Sequence, residues 1–311
     1  MRISMLIKVT CIACALAIGL AACGSNTSTS QGGTPTSGQG SNNPSAPNQP
    51  TMQMNVSYGP LPDEVLDLCT PQNTSINHPG VILIHGGGWM SGNKGAFDSL
   101  CRLLAARGFV AATINYRLAP RYTWPDQLVD SQLAVRWLRS NANQYRLDPQ
   151  RLCSLGSSAG GHLAVFLGVL TTIHPGDEAG LLANQSPHVS CIVDEFGPVD
   201  FTAPLGPGAV TPLHDLFAGA TLQSSPTTFR DASPIFDVSS KSVPTLIIQG
   251  SRDQLVYPAQ SQELLRALQK QGVPVNYISY DGGHGFSGLS RQQLVAIEQQ
   301  AISFLMKQTQ A

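Results

Sequence analysis

A serine flanked by small residues offers the clearest chemistry in this sequence. Ser158 is the central residue of GSSAG at 156–160, which is a G-x-S-x-G pattern. The pattern directly follows the apolar run 152–155, and apolar side chains then recur at helical spacing through 159–170. A strand, a tight turn and a helix in that order would expose the hydroxyl at the carboxyl edge of a sheet. The sequence therefore predicts that Ser158 is a nucleophile.

A second glycine-rich stretch lies upstream, where HGGGW at 85–89 directly follows the apolar run 81–84. Attack of a hydroxyl on a carbonyl group places negative charge on the carbonyl oxygen, and backbone N–H groups among small residues can approach that oxygen closely. We therefore expect the N–H groups of Gly86, Gly87 and Ala159 to form an oxyanion hole.

A serine nucleophile also needs a neutral imidazole that accepts its proton. Among the seven histidines, His284 lies in GGHGF at 282–286, shortly after the strand-like run 275–278. His85 and His162 are the alternatives, but each lies inside one of the other motifs, where packing or hydrogen bonding is the simpler role. We expect His284 to be the general base.

A carboxylate must hold that imidazole in the right tautomer. Asp253 ends GSRD at 250–253, shortly after the apolar run 245–248, and Asp200 ends GPVD at 197–200. Both aspartates follow strand-like runs. We expect Asp253 to be the acid of the site and Asp200 to cap a loop.

Short apolar runs alternate with helical patterns along most of the chain, which is typical of strands buried on both faces. The pattern predicts a mainly parallel twisted sheet with helices on both faces, an α/β fold. The predicted strands are 81–84, 110–114, 152–155, 191–193, 245–248 and 275–278. Two earlier segments, 52–58 and 65–68, predict an antiparallel entry hairpin. The long, Pro-rich segment 197–243 predicts an irregular insertion that walls the site.

These motifs together resemble those of α/β-hydrolase-fold serine esterases, in the group of acetylesterases, carboxylesterases and feruloyl-esterase-like enzymes. The resemblance extends from Gly80 to the C-terminus. It rests on HGGGW, YRLAP at 116–120, GSSAGGH at 156–162, GSRD and GGHGF. It implies the α/β-hydrolase fold, which uses the chain order Ser158, Asp253, His284.

Within the wider group, hormone-sensitive-lipase-like enzymes usually carry Asp before the nucleophile, Asn after the double glycine, and an N-terminal cap. This sequence has Ser157 and His162 at those positions, and little sequence precedes the first core strand. It is therefore more similar to the feruloyl- and acetyl-esterase-like members, which implies an open cleft and no large cap domain.

The resemblance implies a serine hydrolase that cleaves carboxylic esters through an acyl-enzyme intermediate. Its substrate would be a small-molecule or carbohydrate ester, either a short-chain acyl ester or a carbohydrate-linked ester, and the acyl and alcohol specificity stays open. The chemistry requires no metal and no cofactor. Two alternatives stay open. One is a serine peptidase of the prolyl-oligopeptidase kind, although 311 residues leave no room for a propeller domain. The other is a catalytically silent surface lipoprotein that binds carbohydrate.

The start of the chain predicts export and anchoring. A basic start and the uncharged apolar stretch 9–22, too short to span a membrane core of about 30 Å, indicate a signal peptide over 1–22. The sequence LAAC, ending at Cys23, resembles a bacterial lipoprotein box. It implies a lipid on Cys23 that anchors the protein to the cell envelope, at the outer membrane facing the periplasm or the surface in a Gram-negative cell. Residues 23–50 are polar and predict a disordered tether, which leaves 51–311 as the catalytic domain.

Charge and composition exclude other classes of function. The 311 residues include 18 Lys or Arg and 19 Asp or Glu without a basic cluster, so no nucleic-acid partner is expected. Hydrophobic residues make up 42% of the chain, enough for one large core. The oligomeric state stays open.

The predicted export also bears on the state of the cysteines. Of the seven cysteines, Cys69, Cys101, Cys153 and Cys191 lie in the part expected to fold. An oxidising compartment would allow disulfides, and the three possible full pairings stay open. Because Cys153 and Cys191 lie in apolar strand-like runs, we expect these two to be buried free thiols.

Overall fold

The computed structural model describes residues 50–73, 75–170 and 181–310. The predicted signal peptide 1–22, the predicted lipid attachment site Cys23 and all of the predicted tether except Pro50 lie outside the described residues. Within the described ranges, no helix combines the length and the hydropathy that crossing a membrane requires.

The strands are β1 (Thr51–Ser57), β2 (Val65–Thr70), β3 (His78–Ile84), β4 (Val110–Ile114), β5 (Leu147–Ser157), β6 (Ile192–Glu195), β7 (Thr245–Gly250) and β8 (Val275–Tyr280). They form one eight-stranded sheet in the order β1-β2-β4-β3-β5-β6-β7-β8. The first two pairings, β1 with β2 and β2 with β4, are antiparallel, and the remaining neighbours are parallel. The predicted entry hairpin and the mainly parallel sheet are confirmed.

The α-helices are α1 (Asp98–Ala106), α2 (Asp126–Ser140), α3 (Ala142–Tyr145), α4 (Ala159–Val169), α5 (Val210–Leu216), α6 (Pro226–Asp231), α7 (Pro258–Lys270) and α8 (Arg291–Thr309). Because side chains alternate along a strand, Val81 and Leu83 of β3 face one side of the sheet and Ile82 and Ile84 the other. The first pair packs in a cluster with α1 and α8, and the second in a cluster with α2, α4 and α7. Helices therefore cover both faces of the sheet, as the alternating pattern predicts.

The predicted insertion 197–243 follows β6 and is more regular than its composition suggests, because it contains α5 and α6. Proline stands in the first turn of α6, where its fixed φ and missing N–H are tolerated. The segment packs against loops at the carboxyl edge of the sheet. Leu216 accepts a hydrogen bond from the Trp124 N–H (2.9 Å), and a Cβ at Gly88 would lie 3.1 Å from Pro212 Cγ.

The described residues contain two disulfides: Cys69–Cys101 joins β2 to α1, and Cys153–Cys191 joins β5 to the residue before β6. The expectation that Cys153 and Cys191 are free thiols is therefore wrong. The register between β5 and β6 pairs the residues that directly follow these two cysteines, so their Cα atoms lie 4.6 Å apart, within disulfide range. Neighbouring strands of a parallel sheet are distant along the chain, so spacing alone could not reveal the pair.

Candidate active site

Ser158 occupies the sharp turn between β5 and α4, where the pattern places it. Its backbone has φ 55° and ψ −118°, a conformation of the kind that costs a non-glycine residue about 1–3 kcal/mol. Its N–H donates to the Glu195 carbonyl at the end of β6 (2.8 Å). The turn is crowded, since a Cβ at Gly160 would lie 1.9 Å from the Ile84 carbonyl oxygen. Only glycine fits at position 160, and the turn leaves the Ser158 side chain accessible at the edge of the sheet.

The structure brings Ser158, His284 and Asp253 together from three different loops. Ser158 Oγ lies 2.8 Å from His284 Nε2, and Asp253 Oδ2 lies 2.7 Å from His284 Nδ1. The Asp253 side chain is fully buried, whereas that of His284 is 21% exposed. A carboxylate facing Nδ1 favours the tautomer with the proton on that nitrogen, which leaves Nε2 free to accept the hydroxyl proton.

The orientation of the Asp253 carboxylate is fixed by its other partners. Oδ1 accepts hydrogen bonds from the N–H groups of Leu255 (2.8 Å) and Val256 (2.9 Å), and Oδ2 accepts one from Gln249 Nε2 (3.1 Å). Gln249 is itself held, because its Oε1 accepts from Ser261 Oγ (2.8 Å). The oxygen that faces the imidazole is therefore determined by the surrounding protein.

The His284 ring rests against Phe196, with an edge-on arrangement and ring centroids 4.9 Å apart. Phe196 follows β6, is buried, and has a positive φ of 48°. Its N–H donates to the Ile248 carbonyl of β7 (2.8 Å). Phe196 therefore limits rotation of the imidazole, and no motif in the sequence indicated it.

The glycine-rich loop after β3 lies beside the same turn. A Cβ at Gly86 would lie 3.2 Å from Ser158 Cβ, and Gly87 has a φ of 124°, which glycine adopts without strain. In the described part of the chain, the N–H groups of Gly86, Gly87 and Ala159 donate to no protein acceptor. Unpaired N–H groups next to a serine hydroxyl are the arrangement that stabilises an oxyanion.

Asp200, the alternative acid, lies in a loop of the insertion. Its Oδ1 accepts hydrogen bonds from the Thr202 N–H (2.7 Å) and from Thr202 Oγ1 (2.6 Å). Asp200 thus caps its loop, as predicted.

The alternative histidines are both buried within the scaffold. His85 stacks on Tyr116 with ring centroids 4.3 Å apart, and its Nδ1 lies 2.7 Å from the Gly86 carbonyl oxygen. His162 Nε2 lies 2.7 Å from the Ala232 carbonyl oxygen. Burial lowers the pKa of each imidazole to about 4, so both are neutral at pH 7.

Two acidic residues at the end of β6, Asp194 and Glu195, were not among the predicted site residues. Ser157 pairs with Glu195 across β5 and β6, and its hydroxyl donates to the Glu195 carboxylate directly behind the nucleophile. Burial raises the pKa of Glu195 to about 7 and that of Asp194 to about 8. Their position at the carboxyl end of a parallel strand could have indicated that they lie near the site, because ligand sites of parallel α/β sheets lie at that edge.

The chemistry open to this arrangement is proton transfer and nucleophilic attack, with Ser158 Oγ as the attacking atom and His284 as the base. For the ranges that the structure describes, no group of three or more His, Cys, Asp or Glu side chains is placed to hold a metal ion.

Comparison with known proteins gives the family. The family model for BD-FAE matches residues 66–268. Esterase LipC of Mycobacterium tuberculosis is 34% identical over 241 residues, which are 74% of this chain and 59% of LipC. The chain thus spans less than two thirds of the length of this relative.

Solved structures give the fold. A truncated form of a carbohydrate esterase from gut microbiota has a TM-score of 0.72 at 29% identity, over 85% of this chain and 98% of that one. An acetyl ester-xyloside bifunctional hydrolase from Caldicellulosiruptor lactoaceticus has a TM-score of 0.68 at 27% identity, over 80% of this chain and 89% of that one. Together with the strand order, these likenesses confirm the α/β-hydrolase fold that the motifs implied. Since the family model matches more than half of this chain, the chain belongs to the BD-FAE family.

Proposed function

We propose that the protein is a serine hydrolase that cleaves carboxylic esters through an acyl-enzyme intermediate. The observation that carries the proposal is the continuous hydrogen-bonded series from Ser158 Oγ through His284 to Asp253, with distances of 2.8 and 2.7 Å. The similar proteins are named as esterases. Their names support ester hydrolysis over peptide cleavage, and an enzyme over a silent carbohydrate-binding protein.

In the proposed reaction, His284 Nε2 takes the proton from Ser158 Oγ as this oxygen attacks the ester carbonyl carbon. The N–H groups of Gly86, Gly87 and Ala159 stabilise the oxyanion that forms. The ester C–O bond then breaks, and the leaving alcohol takes the proton from His284. Water attacks the acyl-enzyme in the same way, which releases the acid and restores the serine.

We propose that the acyl group is short and that the alcohol can be a carbohydrate. Pro212 of α5 lies over Gly88, where a Cβ would be only 3.1 Å from its ring. Behind this loop, Trp89 and Phe201 are buried in edge contact, with ring centroids 5.6 Å apart, and fill the space. The similar acetyl ester-xyloside hydrolase supports a small acyl site, and the similar carbohydrate esterase supports a carbohydrate alcohol.

Ser158→Ala tests the proposed chemistry, with the neighbouring Ser157→Ala as the matched control. A fluorophosphonate probe should label the wild-type protein and the Ser157 variant at Ser158, as mapped by mass spectrometry, and should leave the Ser158 variant unlabelled. Turnover of p-nitrophenyl acetate should be lost only in that variant. A folded Ser158→Ala protein that hydrolyses the ester at the wild-type rate would remove the assignment.

A series of p-nitrophenyl esters, together with acetylated xylan, tests the proposed substrate. The ratio kcat/KM should fall as the acyl chain lengthens from acetate to octanoate, and acetate should be released from the polysaccharide. A preference for octanoate over acetate would contradict a small acyl site.

We also propose that the protein is exported and held at the cell envelope through a lipid on Cys23. The proposal is supported by the LAAC sequence that ends at this cysteine, after an apolar stretch. In cells, Cys23→Ser should move the protein from the membrane fraction to the soluble fraction. Retention of that variant on membranes would contradict the proposal.

A further inference from the structure

The glycine-rich loop and the helix that begins after the nucleophile are joined by a buried hydrogen bond. Trp89 Nε1 lies 3.3 Å from His162 Nδ1, and His162 Nε2 lies 2.7 Å from the Ala232 carbonyl oxygen. An indole N–H can only donate, so Nδ1 is the acceptor of the first bond. The imidazole proton is then on Nε2, where it donates to Ala232. Both bonds are satisfied by one neutral tautomer.

The three partners belong to three parts of the site. His162 lies one helical turn after Ser158 on α4, and its N–H donates to the Ser158 carbonyl (3.0 Å). Trp89 follows the glycines expected to form the oxyanion hole, and Ala232 belongs to the insertion 197–243. A shift of His162 would therefore move the loop relative to the nucleophile.

We propose that His162 is a positioning residue that sets the distance between the oxyanion-binding loop and Ser158, by accepting the hydrogen bond of Trp89. The proposal rests on the proposed esterase function. His162 should affect stabilisation of the transition state, because the N–H groups of the loop contribute most when the carbonyl oxygen becomes negative.

The surroundings of His162 hold it rigidly in this role. The side chain is fully buried, and its ring contacts the rings of Trp124, Phe166 and Phe201 with centroid distances of 5.4, 5.1 and 5.0 Å. Burial lowers the pKa of His162 to about 4, so the accepting nitrogen is unprotonated at pH 7. The bond to Trp89 thus persists at neutral pH.

Two amide variants separate the two bonds. The Oδ1 of an asparagine comes close to the position of His162 Nδ1, so His162→Asn keeps the acceptor for Trp89 and loses the bond to Ala232. The Nε2 of a glutamine comes close to the position of His162 Nε2, so His162→Gln keeps the bond to Ala232 and loses the acceptor for Trp89. Each variant gives up one buried hydrogen bond, so both should lose similar stability.

We expect His162→Gln to lower kcat for p-nitrophenyl acetate roughly 10- to 100-fold with KM within about twofold, because misplacement by about 1 Å can cost about 100-fold. His162→Asn should recover most of the rate. Trp89→Phe keeps a ring but removes the N–H donor, so its kcat should fall as in His162→Gln. The double variant Trp89→Phe/His162→Gln should lose no more of kcat than either single variant. Affinity for phenylboronic acid, which forms a tetrahedral adduct on serine, should fall in parallel with kcat.

His188→Leu is the control for a lost, partly buried contact away from the site, since His188 Nδ1 lies 2.9 Å from the Leu170 carbonyl oxygen. It should lower Tm without changing kcat. Equal rates in His162→Asn and His162→Gln, or multiplicative losses in the double variant, would overturn the proposal. If either His162 variant fails to fold, Trp89→Phe tests the proposal alone: an unchanged kcat in this variant would overturn it. A wild-type protein that neither reacts with the fluorophosphonate nor cleaves esters would refute the proposed function instead.

Discussion

Replacing Asp253 by asparagine should reverse the tautomer of His284. The asparagine Oδ1 can still accept from Leu255 and Val256, as the aspartate oxygen does at 2.8 and 2.9 Å. Its NH2 group then faces the imidazole, where it donates to Nδ1. The proton of the ring is displaced to Nε2, which can no longer accept the proton of Ser158.

The magnitude follows from counting hydrogen bonds. If the new amide rotated to face the imidazole with its oxygen, two backbone N–H groups would meet an NH2 group, whereas the unrotated amide disrupts only the donation from Gln249. Each unsatisfied buried donor costs about 1–3 kcal/mol, so the unrotated form is favoured by about one such cost. An imidazole held in the wrong tautomer loses about 10⁴ in kcat, equivalent to about 5 kcal/mol. We expect a fall of roughly 10³ to 10⁴, the lower figure allowing for amides that rotate.

The assay is kcat for p-nitrophenyl acetate at saturating substrate, with circular dichroism to verify the fold. Asp200→Asn is the matched control. Its Oδ1 can still accept both hydrogen bonds of Thr202, so its kcat should stay within about twofold of wild type, as for substitutions that keep their contacts. A loss below tenfold in Asp253→Asn, or an equal loss in the control, would refute the reasoning.

Two further predictions concern stability. Replacing Cys153 and Cys191 together by serine removes a cross-link between residues 38 positions apart, worth about 4 kcal/mol in chain entropy. Calorimetry should show Tm lower by about 7 °C with kcat unchanged, and an unchanged Tm would argue against a formed disulfide. Burial raises the pKa of Glu195 to about 7 and that of Asp194 to about 8, so the folded protein retains protons that the unfolded chain has released. The free energy of unfolding in urea should therefore fall as the pH rises from about 4.5, near the ordinary carboxyl pKa, to about 8, near the raised values. Glu195→Gln should reduce that fall by about 3 kcal/mol, and a wild-type stability independent of pH over this range would contradict the prediction.

The local patterns predicted what short stretches of chain determine. Alternation of apolar runs with helical spacing predicted the sheet and its covered faces, because burial on both sides requires such runs. The positions of Ser158, Asp253 and His284 just after predicted strands indicated that they would lie at one edge, since parallel strands end there together. The structure places these three side chains within hydrogen-bonding distance of one another.

Contacts between strands distant in sequence could not be predicted in this way. The Cys153–Cys191 disulfide and the contact between Ser157 and Glu195 both depend on β5 lying next to β6. Strand order depends on how the whole chain packs, and the sequence of one apolar run does not determine which strand lies next to it. The same limit hid the contact of Phe196 with His284.

The crowding at Gly160 indicates where directed evolution could alter specificity. A side chain at this position would collide with the backbone of β3, so libraries that randomise the turn would consist mostly of inactive clones. Residues of α5 such as Val210, which is 68% exposed, can vary with little effect on packing. Mutational tolerance and catalysis are thus separated along the chain, and diversity introduced into the insertion should yield the larger share of functional variants.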